Sequence, residues 1–232
     1  MSPKKLLMFG GLGSFGSHLV SGMRKGYPDW EVIVTTTRWP PPVMESSGVR
    51  VILSGDWEEL EKNGPYDGVV WVQGKNVRDN VVSCPERIGE VWEANVEFVA
   101  RSMSVLRRRS LVSKGANLVV LGSIWGPISK ADKMSYTITK AAVSGLVRSA
   151  CIDWSDNNVF VNEVCPGAME NPMTHQFLGS DQCQRLANHL GFQRMLSEED
   201  VWRVVEFLLM KNTGITGQSI TVDLGYSVTR KL

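Results

Sequence analysis

The chain has 232 residues, is 43% hydrophobic and 21% charged, and carries a formal net charge of +1. That length supports a core without staples, the near-zero charge argues against a nucleic-acid partner, and no apolar run reaches the roughly 18 residues of a membrane span. The apolar stretch behind the N-terminus, Leu6 to Phe9, is too short for a signal-peptide core. Cys84, Cys151, Cys165 and Cys183 stand too far apart for zinc or redox pairs, so no metal site is expected and the thiols fit a reduced, cytoplasmic protein.

Short apolar runs alternate with helical patterns from end to end. Residues 5–9 read as a strand, followed by a glycine cluster and a helix over 14–25; the β-branched run 31–36 reads as a second strand. Further strands are expected at 50–53, 68–72, 117–121, 159–164 and 219–222. Between strands two and three lies Trp39-Pro40-Pro41-Pro42, where prolines disfavour a covering helix. Ile88, Val91, Trp92, Val99, Met103 and Leu106 fall at helical spacing, predicting one helix over 86–109, and a second helix spans 135–154. Ser197-x-x-Asp200 is a capping box ahead of Val201, Val204, Val205, Leu208 and Leu209. Alternation of this kind predicts an α/β fold, a parallel sheet covered by helices on both faces. With no break in composition, residues 1–232 are expected to form a single domain.

Gly11-Leu12-Gly13-Ser14-Phe15-Gly16 follows the first strand and opens the first helix, which is the setting a dinucleotide-binding loop requires. The first glycine would make the turn, the second would admit the pyrophosphate, and the third would let helix and strand pack closely. The second strand ends Thr35-Thr36-Thr37-Arg38, without the acid that would bond the 2′-hydroxyl of NAD. An arginine can pair with a 2′-phosphate, so NADP(H) is favoured over NAD(H). Asp56, with Trp57 beside it, follows strand three and is placed to meet the adenine.

Tyr136 and Lys140 are four residues apart on one helix face. An ammonium beside a phenol favours the phenolate and would lower its pKa, making Tyr136 a general acid or base toward a carbonyl or hydroxyl. Ser123 ends the strand before that helix and can hold a substrate oxygen. Asn95 interrupts the apolar stripe between Trp92 and Val99, and the functional reading of a buried asparagine there is an anchor for a water relaying protons to Lys140. Trp125 is expected to line the site, forming with Trp71 a flat aromatic wall for a planar substrate.

Glycine loop, Asn95, Ser123, Tyr136 and Lys140 stand in the order and spacing of the short-chain dehydrogenase/reductase family, which the chain resembles over nearly its whole length. Pro166-Gly167, Arg194-x-x-Ser197 and Ile215-Thr216-Gly217-Gln218 through Gly225 add to that resemblance. It implies a Rossmann fold, a doubly wound parallel sheet of about seven strands in a three-layer sandwich, in which Ser123, Tyr136 and Lys140 carry catalysis with Asn95 in support, and Lys140 also holds the nicotinamide ribose. It further implies cofactor contacts at Gly74, Pro166, Gly167 and Met169, and a substrate-covering segment at about 168–195 in which Met169, Met173 and His175 could line the pocket. The implied activity is NADP(H)-dependent interconversion of a small-molecule carbonyl and its alcohol. The alternatives are a catalytically silent NADP-binding regulator and a nucleotide-sugar epimerase or dehydratase. A homodimer or homotetramer is implied, with no nucleic acid or membrane partner. The sequence departs from the family pattern at Phe9 and Ser14 in the glycine loop, and at Trp71-Val72-Gln73-Gly74, where the family has Asn-Asn-Ala-Gly. It also departs after Pro166-Gly167, where the expected threonine reads as Asn171 or is displaced to Thr174.

Overall fold

The computed structural model describes residues 2–38, 49–189 and 191–228. The proline segment expected to replace a covering helix lies outside the described residues. Seven parallel strands run in the order β3-β2-β1-β4-β5-β6-β7: β1 (Lys4–Phe9), β2 (Trp30–Thr36), β3 (Val49–Leu53), β4 (Tyr66–Trp71), β5 (Val112–Leu121), β6 (Phe160–Pro166) and β7 (Ser219–Val222). Leu6, Leu7, Met8 and Phe9 are all fully buried, as an uninterrupted apolar run must be when both sheet faces are covered.

Strand alternation sorts the side chains into two layers. Leu7, Phe9, Val69, Trp71, Leu118, Val120 and Val161 face one side, packing against α4 (Phe98–Arg108) through Val99, Met103 and Leu106, and against α5 (Met134–Asp153) through Val143, Val147 and Ala150. Leu6, Met8, Val70, Val119 and Val164 face the other, under α1 (Ser14–Gly26) and α7 (Glu198–Met210). The capping box forms as expected: Ser197 Oγ accepts from the Asp200 amide at 3.2 Å, and Asp200 accepts from the Ser197 amide at 2.8 Å.

Three features depart from the expectations. A short helix, α2 (Trp57–Asn63), follows β3; Asp56 is its N-cap, accepting from the Glu59 amide at 3.0 Å. The segment expected as one helix over 86–109 is α3 (Cys84–Trp92), a π-helical turn over Glu93–Glu97, and then α4. An apolar stripe at i, i+3, i+4 spacing does not reveal one such wide turn. Trp71 is buried in the core, stacked on Phe9 with ring centres 5.6 Å apart and donating its indole N–H to Ser102 Oγ at 2.8 Å. The aromatic wall expected with Trp125 therefore does not form, because position 71 shares the inward face of β4 with Val69.

Candidate active site

The carboxyl ends of β1, β4, β5 and β6 open onto one cleft of about 830 Å³, the place where open α/β sheets bind ligands. At its β1 end, Leu12, Gly13, Ser14, Phe15 and Gly16 form the lining. The left-handed turn of this loop is at Gly10, with φ +84°, one residue ahead of the fingerprint; a Cβ there would stand 2.6 Å from the Gln73 amide. Gly11 packs inward, where a Cβ would meet Val34 at 2.7 Å, and Gly16 packs onto the loop, where a Cβ would meet the Gly10 carbonyl at 2.4 Å. Helix α1 begins on Gly13 with no side-chain cap and no acid in its first turn. Its first amides and the positive end of its dipole therefore face the cleft, an arrangement suited to a diphosphate. Ser14 Oγ donates to Glu198 at 3.0 Å, tying the loop to the start of α7.

At the end of β2, Thr35, Thr36, Thr37 and Arg38 line the cleft, and the Arg38 amide donates to Thr36 Oγ1 at 3.1 Å. Arg38 is exposed and borders the cleft. Asp56 and Trp57 border an adjoining hollow with Thr36, Thr37 and Ser54. Opposite the glycine loop, both amide atoms of Gln73 are buried without a partner among the described residues, although the residue borders the cleft. A buried amide in that position calls for a ligand hydrogen bond. Uncapped helix, glycine cradle and orphaned amide together fit a dinucleotide.

At the β5 end, Ser123, Tyr136 and Lys140 line the same cleft. Burial pushes the Tyr136 phenol up to about 12, against a hydrogen bond with Ser123 that favours the phenolate. The expected lowering by Lys140 is absent because desolvation dominates and the ammonium is directed elsewhere. Lys140 Nζ donates to the Leu121 carbonyl at 2.7 Å and lies 5.7 Å from the Tyr136 ring centre. Burial pulls Lys140 down to about 8, while the Glu163 carboxylate and Cys165 favour its charged form.

Glu163 was not singled out in the sequence, although a lone acid in the apolar run of β6 is its signal. Its side chain is fully buried; Oε2 accepts from Ser144 at 2.7 Å and also from Ser219, and Oε1 has no partner among the described residues. The carboxylate lies against Gly122, where a Cβ would be 2.0 Å from Oε1.

Asn95 sits in the π-helical turn, 2% exposed. Its Oδ1 accepts from the Lys75 amide at 2.7 Å, and its Nδ2 donates to the Lys75 carbonyl at 2.9 Å and to Thr139 Oγ1 at 3.0 Å. Gly74 fits between this amide and Lys140: a Cβ there would stand 3.2 Å from Asn95 Oδ1 and 3.8 Å from Lys140 Nζ.

The outer part of the cleft is bordered by Trp125, Met169, Thr174, Leu186 and Tyr226, together with Pro166 and Gly167. Trp125 and Tyr226 meet edge to face with ring centres 5.8 Å apart. Asn171 Oδ1 accepts from the Thr174 amide at 2.9 Å, and both residues border the cleft. His175 is bonded to Glu170 and is not on the lining. Its expected place in the substrate pocket is not seen. The Met173 side chain lies outside the described residues. The segment expected to cover the substrate contains α6 (Pro172–His189), broken at Gly179, where φ is +71°.

Residues 60–227 match the family model described as enoyl-(acyl carrier protein) reductase. Among curated proteins, a tropinone reductase homolog of Arabidopsis thaliana is 30% identical over 118 residues, which cover 50% of this chain and 44% of that protein. The chain spans about half the length of the first curated relatives it matches, 44% and 49%. A short chain dehydrogenase family protein from Francisella tularensis has the same fold, with a TM-score of 0.87 at 21% identity, covering 97% of this chain and 99% of that one. A structure of ElxO with NADP bound gives a TM-score of 0.80 at 20% identity, covering 98% and 100% of the two chains.

Proposed function

The chain belongs to the short-chain dehydrogenase/reductase family, and from that premise we propose that it is an NADP(H)-dependent oxidoreductase interconverting a small-molecule carbonyl and its alcohol. The observation that carries this reading is the meeting of Ser123, Tyr136 and Lys140 on one cleft with the uncapped N-terminus of α1. NADP(H), when bound, supplies or accepts the hydride. The glycine loop and α1 amides would hold its diphosphate, Arg38 with Thr36 and Thr37 its 2′-phosphate, and Gln73 and Lys140 its nicotinamide half. The NADP-bound neighbour supports that choice of cofactor.

Tyr136 keeps its proton across the neutral range and can therefore deliver it to a carbonyl oxygen as negative charge grows there. Ser123 donates to the same oxygen and stabilises that charge. Lys140 holds positive charge behind the phenol while its own proton stays below about 8. The three side-chain hydrogen bonds of Asn95 are committed, so its support to Lys140 runs through the loop it fixes at Lys75 and through the backbone of its π-helical turn. Exposed apolar side chains on the outer helices, Ile152 at 72% and Trp92 at 40%, support subunit pairing through α3 and α5 in a dimer or tetramer. A cytoplasmic setting fits four free cysteines.

The test is NADPH oxidation over a broad panel of ketones and aldehydes, with cofactor binding measured alongside. Turnover that disappears with Tyr136→Phe supports the reading; binding without turnover on any substrate identifies a silent regulator instead.

A further inference from the structure

Trp71 cannot partner Trp125, but the turn after β7 supplies another ring. Trp125 stands two residues beyond Ser123, and its amide donates to Ser123 Oγ at 3.2 Å, so its backbone is tied to the serine assigned above to the reacting oxygen. Tyr226 meets Trp125 edge to face, with ring centres 5.8 Å apart and planes at 73°. Both residues are half-buried and line the cleft that carries Tyr136.

A constrained turn holds Tyr226 in that place. Leu224 and Gly225 are both left-handed, with φ +53° and +79°, and a leucine is uncommon in that region. Asp223, 8% exposed, fixes the turn: Oδ1 accepts from the Gly225 amide at 2.9 Å, Oδ2 from the Ser227 amide at 2.7 Å, and its carbonyl from the Tyr226 amide at 3.0 Å. Backbone strain held in place by neighbouring groups concentrates at ligand sites. Met169 and Leu186 add apolar surface to the same part of the cleft. In an edge-to-face contact one ring gives only its edge, so that contact leaves its own faces for a third flat group. Lys130 Nζ lies over the Trp125 ring, 5.1 Å from its centre, so this ring already uses its π-face for recognition.

We propose that Trp125 and Tyr226 form a stacking subsite for a flat, unsaturated ring carried by the carbonyl substrate. The substrate class is then an aryl-bearing ketone or aldehyde, with its ring in the outer cleft and its carbonyl at Ser123 and Tyr136. This rests on the carbonyl-reductase reading above and narrows its substrate class.

The test uses ketones in matched pairs with NADPH and the full chain: phenylacetone with cyclohexylacetone, and 4-phenyl-2-butanone with 4-cyclohexyl-2-butanone. Within each pair the reacting carbonyl is the same and the saturated ring is the more hydrophobic. Apolar burial alone therefore favours the cyclohexyl member, and stacking favours the phenyl member. The phenyl member of at least one pair should have a kcat/KM about three- to tenfold higher, expressed in KM, the worth of one aromatic contact. Tyr226→Leu and Trp125→Leu should each remove or reverse that preference, and Tyr226→Phe should keep it. A second measurement is independent of turnover: with NADP⁺ present, the phenyl ketone should raise the unfolding temperature more than its cyclohexyl twin, and Tyr226→Leu should remove that difference. Equal responses within every pair, a cyclohexyl preference, no response to any compound, or a phenyl preference that survives Tyr226→Leu overturns the subsite. Reduction of both members at equal kcat/KM does so while leaving the carbonyl-reductase reading standing. No reduction of any compound with a persisting phenyl-over-cyclohexyl difference in unfolding temperature overturns that reading and leaves the stacking subsite standing.

Discussion

Asn95 grips the backbone of Lys75 at both ends: its Oδ1 accepts from the Lys75 amide at 2.7 Å and its Nδ2 donates to the Lys75 carbonyl at 2.9 Å. This clamp holds the loop after β4 against the π-helical turn and keeps Gly74 in contact with Asn95 and Lys140. Asn95→Ala leaves both Lys75 groups and Thr139 without that partner. The expected loss is about 1–3 kcal/mol of stability, read as a lower urea midpoint with unchanged slope. Activity should fall as well, because the loop borders the cleft beside Lys140. An unchanged midpoint would remove the clamp from the account of the fold.

Tyr136→Phe tests the proton donor. It removes one hydroxyl from a half-buried ring and keeps the shape, so NADPH binding should stay within a few-fold of wild type. The turnover number should fall by about 10²–10⁴, the usual worth of general acid catalysis. Stopped-flow or steady-state NADPH oxidation with the best carbonyl of the panel reads the effect. Near wild-type turnover would take Tyr136 out of the chemistry.

How much of this was legible beforehand differs between the sheet and the site. The parallel sheet was plain in the alternation of apolar runs and helices, since buried strands such as Leu6 to Phe9 leave an uninterrupted signature. So was the capping box at Ser197, a purely local motif. Alternation puts Trp71 on the same face as Val69, but which face is closed over by helices is decided by long-range packing, here of α4 and Phe9 over that face. The turn at Gly10 was shifted by one residue for a similar reason, since two adjacent glycines look alike until the chain bends. Glu163 is not legible because its meaning lies in what long-range packing puts beside it, Lys140.

The pH dependence of reduction follows from two shifts. Tyr136 is pushed up to about 12, so it remains protonated through the working range. Lys140 is drawn down to about 8, so its positive charge is present below that value and is lost as pH rises through it. The rate of reduction should therefore be flat on the acid side and decline above about pH 8. Glu163 favours the ammonium of Lys140, so Glu163→Gln should move the decline to lower pH. A merely structural role for Glu163 would lower the rate at every pH and leave the midpoint of the decline in place.

Arg38 decides the cofactor argument. Its guanidinium is the cation at the end of β2, and Thr36 and Thr37 border the cleft with it. Arg38→Ala should weaken NADPH binding by about tenfold or more, the loss of a charge-assisted contact, and change NADH binding little. Fluorescence titration of both nucleotides measures it. Equal effects on the two would place Arg38 away from the 2′-phosphate.

Two glycines in helices should respond in opposite directions to the same substitution. A Cβ on Gly16 would stand 2.4 Å from the Gly10 carbonyl and 2.7 Å from the Gly11 Cα, both backbone atoms of the cradle that cannot move without opening the loop. Gly16→Ala should destabilise the chain by about 1–3 kcal/mol, as overpacking does, and should weaken NADPH binding through the displaced loop. Gly89 lies exposed in α3, with nothing within 4 Å of an added Cβ. There alanine only reduces the freedom of the unfolded chain, so Gly89→Ala should stabilise by about 0.5–1 kcal/mol and leave nucleotide binding as it was. Denaturant unfolding of the two variants with NADPH titrations separates the effects, because only the first should change both. If Gly16→Ala were as well tolerated as Gly89→Ala, the close packing of α1 on the glycine loop would be wrong, and with it the reason the loop holds its shape for a diphosphate.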